Sequence, residues 1–479
     1  MTARHAPIAV LCTAMLAACS QPRAPNIILI YIDDLGWRDA GVLGSAYYET
    51  PNIGQLAADG MLFTNAYANA PNCAPSRASL LTGRYPPRHG IYTVNSAARG
   101  EATLRRLIPV ENRTDLDTGL ATIAEVLRMA GYVTGQVGKW HLGGAGSLPI
   151  DHGFDWAVAG NHLGHPPSYF FPYENATTRV PDLGDSGHEG EYLTDRLTTE
   201  AVGFIRTNRD RPFFLFLSHY AVHTPIQGKT DLVAHYRSKA TAGGHADPAY
   251  AAMVHSVDES VGRILRVLDE LDIADNTVVV FHSDNGGFGP VTSMDPLRGS
   301  KGMLYEGGIR VPLIVRWPGR IEAGSRSDSP VIGIDLFPTF LDIADTGPST
   351  VEGLDGRSLL PLLQHQGDLP ERPLYWHFPA YLEADRSVSG PWRTTPASAI
   401  RLGRYKLLTF FEDQRVELYD LAADVGERQD LSLALPDVTA ALHGRLTSWW
   451  AQVGAWIPTR SNPDYVAGAP PQSSAREEP

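Results

Sequence analysis

The chain has 479 residues, 43% of them hydrophobic and 19% charged, with a formal net charge of -13. Such a length buries a sizeable core in two or three domains, and the composition is that of an ordinary globular protein. No basic block interrupts it, which excludes the electrostatic footprint of a nucleic-acid binder; an anionic substrate would need a locally positive pocket.

The first element in chain order is an apolar run, residues 6–18, behind Arg4 and His5. This is the layout of an export signal and is too short to span a bilayer. It ends in "LAAC" at 16–19, which resembles a bacterial lipobox, where the chain is cut before the cysteine and the cysteine is lipidated. Residues 1–18 are therefore expected to be a lipoprotein signal. Residues 19–25 are expected to be anchor and linker, holding the protein to a membrane through Cys19, facing the periplasm or cell surface. The alternative is an ordinary cleaved signal and a soluble periplasmic protein. With Cys12 in the signal and Cys19 acylated, Cys73 has no disulfide partner.

"NIILIYIDD" (26–34) predicts a buried strand, a near-continuous apolar run that ends in Asp33 and Asp34. The same grammar recurs in "YVTGQVGKWHLG" (132–143), which ends in Lys139 and His141. It recurs in "PFFLFLSHYAVHTP" (212–225), which carries His223, and in "NTVVVFHSDNGG" (276–287), which ends in Asp284 and Asn285. Between them, Leu120, Ile123, Val126 and Leu127, and then Val254, Val257, Val261, Ile264, Leu265 and Leu268, fall on single helical faces. Strands alternating with helices predict an α/β fold, a large mostly parallel or mixed sheet sandwiched by helices. Ligands of such sheets bind outside the carboxyl ends of the strands, where these polar residues gather. A catalytic domain over 26–372 is expected. It is followed by a smaller C-terminal subdomain (373–460) with an antiparallel sheet and a helix near 436–454, then a disordered tail (461–479).

Asp33, Asp34, Asp284 and the neutral Asn285 form an all-oxygen set, which favours calcium or magnesium over zinc. Crowded carboxylates repel by about 1–4 kcal/mol per pair at ~4 Å, a penalty a divalent ion removes. Each stretch alone also fits a helix cap or a turn. Arg77, Arg84, Lys139 and Lys301 are read as loop cations. Together with His141, His223 and a Pro-Ser-Arg turn they suggest a pocket for a tetrahedral oxyanion, sulfate or phosphate. Such a site needs an in-line nucleophile and an acid for the leaving oxygen.

"CAPSRASLLTGRY" (73–85) resembles the signature of type I sulfatases, of the alkaline phosphatase-like superfamily. "NIILIYIDDLGW", "GKWHLG", "HTP", "SDNGG" and "LRGSKGMLYEGGIRVPLIVRWPG" resemble further blocks in the family's order, and "AIRLGRYKLL" with "ELYDLAAD" resembles its C-terminal domain, over roughly residues 26–445 in all. The chain looks like a bacterial arylsulfatase A-like lipoprotein. The resemblance implies a sulfuric ester hydrolase acting on a sulfated carbohydrate or aryl sulfate. It implies that Cys73 is oxidised to formylglycine by a formylglycine-generating enzyme before folding. It implies a cation, usually calcium and less often magnesium, held by Asp33, Asp34, Asp284, Asn285 and the modified residue 73. Arg77 would hold the modified side chain, Lys139 and Lys301 would bind sulfate oxygens, His141 would take a proton as sulfate leaves, and His223 would protonate the leaving alcohol. His219 and His282 are read as structural. "GNHLGHPPSYFFPYEN" (160–175), with His162, His165 and Tyr169, is a candidate pocket wall, and "YWHFPAY" (375–381) is expected to reach in from the second domain. The alternatives are a phosphonate or phosphodiester hydrolase of the same superfamily, or a silent glycan-binding lipoprotein.

Overall fold

A computed structural model describes residues 23–184, 187–347 and 351–469. The expected export signal, Cys19 and the tail from residue 470 lie outside the described residues. The strands, in chain order, are β1 (Asn26–Ile32), β2 (Met61–Phe63), β3 (Ala66–Tyr67), β4 (Val133–Gly138), β5 (Trp156–Val158), β6 (Phe213–Ser218), β7 (Thr277–Ser283), β8 (Leu313–Arg316), β9 (Ser325–Ser327), β10 (Val331–Ile332), β11 (Leu374–Phe378), β12 (Leu382–Glu383), β13 (Trp392–Thr394), β14 (Ala397–Leu402), β15 (Tyr405–Phe410) and β16 (Val416–Asp420). The α-helices are α1 (Pro51–Ala58), α2 (Cys73–Thr82), α3 (Pro86–His89), α4 (Ile123–Met129), α5 (Leu193–Asn208), α6 (Thr230–Ser238), α7 (Pro248–Glu270), α8 (Glu306–Ile309), α9 (Leu336–Ile343), α10 (Leu360–Leu363) and α11 (Pro436–Val453).

The main sheet has the order β5-β4-β6-β1-β7-β8-β2-β9. The five strands from β5 to β7 run parallel, β8 is antiparallel to β7 and to β2, and β9 is parallel to β2. The sheet is therefore mixed, as the α/β reading allowed. Alternate residues of β1 supply both faces. Ile28, Ile30 and Ile32 pack with residues of α1, α5 and α7, while Ile27, Leu29 and Tyr31 pack with residues of α2, α4 and α9. Full burial of each such side chain contributes about 1.5–3 kcal/mol, so a charge on either face of β1 would open the core. The expected helices form where their caps allow. The Thr122 side chain accepts from Glu125 N–H while Glu125 accepts from Thr122 N–H, so α4 starts at Ile123 and leaves Leu120 in the preceding turn.

Strands β11-β14-β15-β16 make a smaller antiparallel sheet with α11 packed on it, Trp449 stacking on Tyr375 with centroids 4.5 Å apart. At the seam between the two sheets, Lys406 Nζ lies 3.0 Å from Glu306 and 2.9 Å from Glu427, all three side chains buried. The tail expected to be disordered from residue 461 is placed at its start. Asn462 N–H donates to Arg106 C=O, Val466 N–H donates to Thr103 C=O, and the Asn462 amide donates to Ala102 and Arg105 C=O. Backbone pairing to the 102–108 segment holds a stretch whose polar composition gives no core to pack.

Candidate active site

The site lies at the carboxyl ends of β1, β4, β6 and β7. β1 ends at Ile32 and delivers Asp33 and Asp34; β7 ends at Ser283 and delivers Asp284 and Asn285. Since β1 and β7 pair in register, with Ile32 opposite Ser283, the acids come together, and carboxylate oxygens of Asp33, Asp34 and Asp284 lie within 4.8 Å of one another. All four residues are buried. β4 ends at Gly138 with φ +96, where a Cβ would stand 2.0 Å from Ser218 C=O, so only glycine allows the close approach that sets Lys139 beside β6. Asp34 (φ 62) and His141 (φ 61) also occupy the left-handed region, an unfavourable backbone held in place by the surrounding structure.

The signature stretch is not the turn its Pro-Ser-Arg suggested, and Arg77 is not a loop residue. Residues 73–82 form helix α2, every one of them buried. Pro75 falls in the first turn, where its missing N–H has no intrahelical acceptor to lose, so the proline is compatible with a helix start. Cys73 is the first helical residue, 2% exposed, and its Sγ lies within 4.8 Å of oxygen of Asp33 and nitrogen of His223. One turn on, Arg77 reaches Asp284 Oδ2 through Nε and Nη2, both at 2.9 Å, and donates to Lys139 C=O and Ser218 Oγ. Arg84 does not join the pocket; it donates to the carbonyls of Glu352 and Gly353.

Each buried acid faces a cation: Asp33 meets Lys139 Nζ at 2.5 Å, Asp34 meets Lys301 Nζ at 2.7 Å, and Asp284 meets Arg77. Three cations against three carboxylates balance formally, yet burial first and Asp284 second push Asp33 well above the usual carboxylate range despite Lys139. Burial would also raise Asp34, but Lys301, His223 and Lys139 outweigh it and hold that acid below its ordinary value. Burial opposes the charge on Lys301 and on Arg77, and their acid partners, Asp34 and Asp284 foremost, more than restore it. Within the acid cluster Asp33 Oδ1 and Asn285 Oδ1 have no hydrogen-bond donor, the nearest cation to the former being Arg77 Nη2 at 3.8 Å, and Asn72 Oδ1 on the cavity wall beside Cys73 has none either. Asn285 donates its amide to Asp34 Oδ1 at 2.8 Å, which leaves its carbonyl as an acceptor. Buried, unpaired oxygens beside a carboxylate cluster are the donor set of a hard divalent cation, so these residues fit one.

His141, His165 and His223 share with Cys73, Asp34 and Lys301 the lining of one cavity of about 440 Å³. His223 Nε2 points at Asp34 Oδ2 (3.7 Å), Nδ1 faces the Thr224 carbonyl and hydroxyl at 3.0 Å, and its ring lies parallel to His165 at 5.8 Å. Burial, then Lys301, depress His223 although Asp34 opposes them; burial, then Lys139 and Arg77, hold His141 well below the histidine range. His219, on Ser260 Oγ, and His282, facing Pro312 C=O, are buried and held neutral, with burial taking them to about 3 and about 4.

The expected pocket wall is only partly there. His165 lines the cavity, His162 is exposed outside it, and Tyr169 is fully buried, its hydroxyl donating to the carbonyls of Tyr220 and His223. Segment 375–381 does not reach in: Trp376 Nε1 donates to Ala68 C=O, His377 pairs with Ser398 and the Tyr381 hydroxyl donates to Glu412. The second domain contributes instead through the β12–β13 hairpin, whose Leu382 and Arg393 stand on the rim with Arg99 and Phe288. No spacing in the sequence links Arg99 or Arg393 to the acids.

A family model described as Sulfatase matches residues 25–346, and one described as N-sulphoglucosamine sulphohydrolase, C-terminal, matches 300–452. The chain is 36% identical to the N-acetylgalactosamine-6-sulfatase of Homo sapiens, over 90% of this chain and 86% of that one. It is 34% identical to a protein named Sulfatase from Formosa agariphila, over 90% of each. The crystal structure of Ps i-CgsB in complex with k-i-k-neocarrahexaose matches with a TM-score of 0.73 and 31% identity, covering 91% of this chain and 95% of that one.

Proposed function

We propose that this chain, which belongs to the sulfatase family and is an enzyme hydrolysing sulfate esters, removes sulfate from a sulfated carbohydrate by means of a formylglycine made from Cys73 and a divalent cation, calcium by preference. The observation that carries this reading is the single cavity in which Cys73 faces a buried carboxylate cluster with unpaired oxygens on one side and Lys301, His141 and His223 on the other. The choice of carbohydrate is supported by two similar proteins, one named for N-acetylgalactosamine 6-sulfate and one crystallised with a neocarrahexaose.

Asp33, Asp34, Asp284 and Asn285 would hold the cation, which supplies charge to polarise the sulfate and activate residue 73. The hydrated aldehyde supplies two hydroxyls on one carbon, one to attack sulfur and one to expel sulfate. A divalent ion would keep all three acids ionised, Asp33 included, and added to three cations facing three acids it would leave the cavity two charges positive, matching an anionic ester in a molecule that is acidic overall. Lys139 and Lys301 then have a sulfate to bind in place of the acids they now face, and hold its oxygens as negative charge grows. Arg77, locked on Asp284, aligns the start of α2. Residue 73 is the first of that helix, whose free N–H groups favour negative charge there. His223, held by Thr224 and the Tyr169 hydroxyl beneath its backbone, would protonate the leaving alcohol once a bound sulfate offsets the burial and the Lys301 charge that depress it, and His141, neutral and with Nδ1 unpaired, would accept the proton of the second hydroxyl. For place in the cell, the "LAAC" stretch supports export and a lipid anchor at Cys19, with the catalytic chain in the periplasm or at the cell surface.

The test is peptide mass spectrometry of residue 73 in protein from its native host, alongside sulfate release from N-acetylgalactosamine 6-sulfate, chondroitin 6-sulfate and ι-carrageenan oligosaccharides. Formylglycine with sulfate release is expected. An unmodified thiol in active protein would overturn the nucleophile, and modified protein that releases sulfate only from aryl esters would overturn the substrate class.

A further inference from the structure

Resting on the sulfated-carbohydrate reading, the geometry points to a second sugar subsite beside the catalytic cavity, one that takes an anionic residue of a glycan chain. The turn that carries Lys301 has two faces. Its backbone is pinned by Lys301 N–H to Gly287 C=O (2.9 Å) and Gly302 N–H to Pro71 C=O (2.7 Å). Lys301 looks into the catalytic cavity, whereas Arg298 and Ser300 line a second cavity of about 530 Å³ on the other side. Each cavity falls in the size range of small-molecule sites. Arg393 lines both, so it is the shared wall a ligand would pass.

Arg393 is brought there by the β12–β13 hairpin. Gly302 has φ +92, and a Cβ on it would stand 2.8 Å from Leu382 and 3.0 Å from Arg393, so the missing side chain is what lets the hairpin close on the turn. Asp385 holds Arg393 Nε at 3.1 Å, with the Phe288 ring 5.8 Å beneath the guanidinium. Arg298 lies 3.8 Å over the Tyr305 ring and donates to the Tyr419 hydroxyl, and its side chain remains 41% exposed. Two guanidiniums thus border a cavity whose lining includes one acid, Asp295, while Asp385 holds Arg393 and Glu417 stands 3.9 Å from Arg298 behind the wall. Stacked guanidinium planes with fixed orientation recognise sulfate and carboxylate oxygens in pairs. Ser387, exposed and donating its own proton to Asp385, keeps an acceptor oxygen for a sugar hydroxyl, and the largely buried Ser300 also lines the wall. A third cavity of about 410 Å³ shares Gly289 and Thr292 with the second, so the track continues away from the catalytic groups. The ligand class is therefore an oligosaccharide with a sulfate or uronate on the residue next to the one that is desulfated.

The test measures affinity by calorimetry on the full chain with Cys73→Ala, which binds without turnover. N-acetylgalactosamine 6-sulfate is compared with a chondroitin 6-sulfate tetrasaccharide, and galactose 4-sulfate with an ι-carrageenan tetrasaccharide. For at least one pair the tetrasaccharide is expected to bind at least about tenfold tighter. Arg298→Gln, which removes charge, and Ser387→Trp, which fills the mouth, are each expected to bring that ratio close to one. A ratio near one in the starting protein, no binding of either tetrasaccharide, or a ratio that survives both variants overturns the subsite. Sulfate release by the unsubstituted enzyme from the same tetrasaccharides reads the underlying reaction separately, so a failed subsite and a failed substrate class give different results.

Discussion

Two glutamates touch the same buried lysine at the seam between the sheets, and they should respond to pH with opposite signs. Burial, only partly offset by Lys406 and reinforced by Glu306, raises Glu427 from 4.5 to about 7, whereas Lys406, Arg310 and Arg401 overcome burial and hold Glu306 below its ordinary value. A carboxyl with a raised folded pKa contributes stability that is complete below its unfolded value, near 4.5, and is lost as pH rises through about 7. A carboxyl moved from 4.5 to about 7 is worth on the order of 3 kcal/mol, since a tenfold change in acidity corresponds to about 1.36 kcal/mol. With an unfolding entropy of ~2.1 cal/mol/K per residue over roughly 450 residues, that moves the melting midpoint by about 3 °C. Glu427→Gln cannot titrate, so between pH 5 and 8 its midpoint should climb relative to the wild type by about 3 °C, on top of any constant offset from the amide. Glu306→Gln should stay level against the wild type from pH 5 to 8 and lose its disadvantage only as pH falls below about 4.5, because the stability of an acid with a depressed pKa is complete above its unfolded value and lost as pH falls through the folded one. Differential scanning fluorimetry in a pH series reads both. A Glu427→Gln difference that stays flat from pH 5 to 8 would refute the charge assignment at the seam.

Cys73→Ala should fold with a melting midpoint within about 2 °C of the wild type and lose at least about 10³-fold in sulfate release. Retained activity would remove residue 73 from the chemistry. His223→Ala should cost about 10²–10⁴-fold on an alkyl or sugar sulfate and much less on an aryl sulfate with an acidic leaving group; equal losses on both would assign His223 to binding alone. Thorough chelation should abolish turnover, and titrating calcium back at 100 times its dissociation constant should raise stability by about 2.7 kcal/mol, visible as a rising midpoint. A midpoint indifferent to calcium, magnesium and chelator alike would argue that Lys139 and Lys301, rather than an ion, are the permanent partners of the acids.

The strand-end chemistry was legible because each polar group follows directly on a buried apolar run, and parallel pairing then carries 33, 34, 139, 284 and 285 to one edge. Proline chemistry misled at 75, where a turn former doubles as a helix starter. Tyr169 and segment 375–381 looked like pocket walls because aromatic residues serve cores and sites equally, and only their hydrogen-bond partners distinguish the two. The β12–β13 hairpin is not legible at all: Arg393 reaches the cavity through tertiary contact with a turn some ninety residues earlier, governed by the absent side chain of Gly302. The run from Ser461 to Val466 defied its composition because its order comes from main-chain pairing and one asparagine amide that reach residues 102–106, partners no local residue pattern encodes.

The pairs that close around α2 span long stretches of chain: Lys139 to Asp33 over 106 residues, Arg77 to Asp284 over 207 and Lys301 to Asp34 over 267. None of the last two exists until residues 284 and 301 have been made, roughly 210 and 230 positions after Cys73. At ~5–20 residues per second of synthesis, that is a delay of about 10–45 s. Throughout that interval the helix lacks these final partners, which would leave the thiol reachable by the modifying enzyme proposed above until the completed fold buries it. The long separations would thus act as a clock for the modification proposed at residue 73. A shorter route to the same pocket would have closed the door too early.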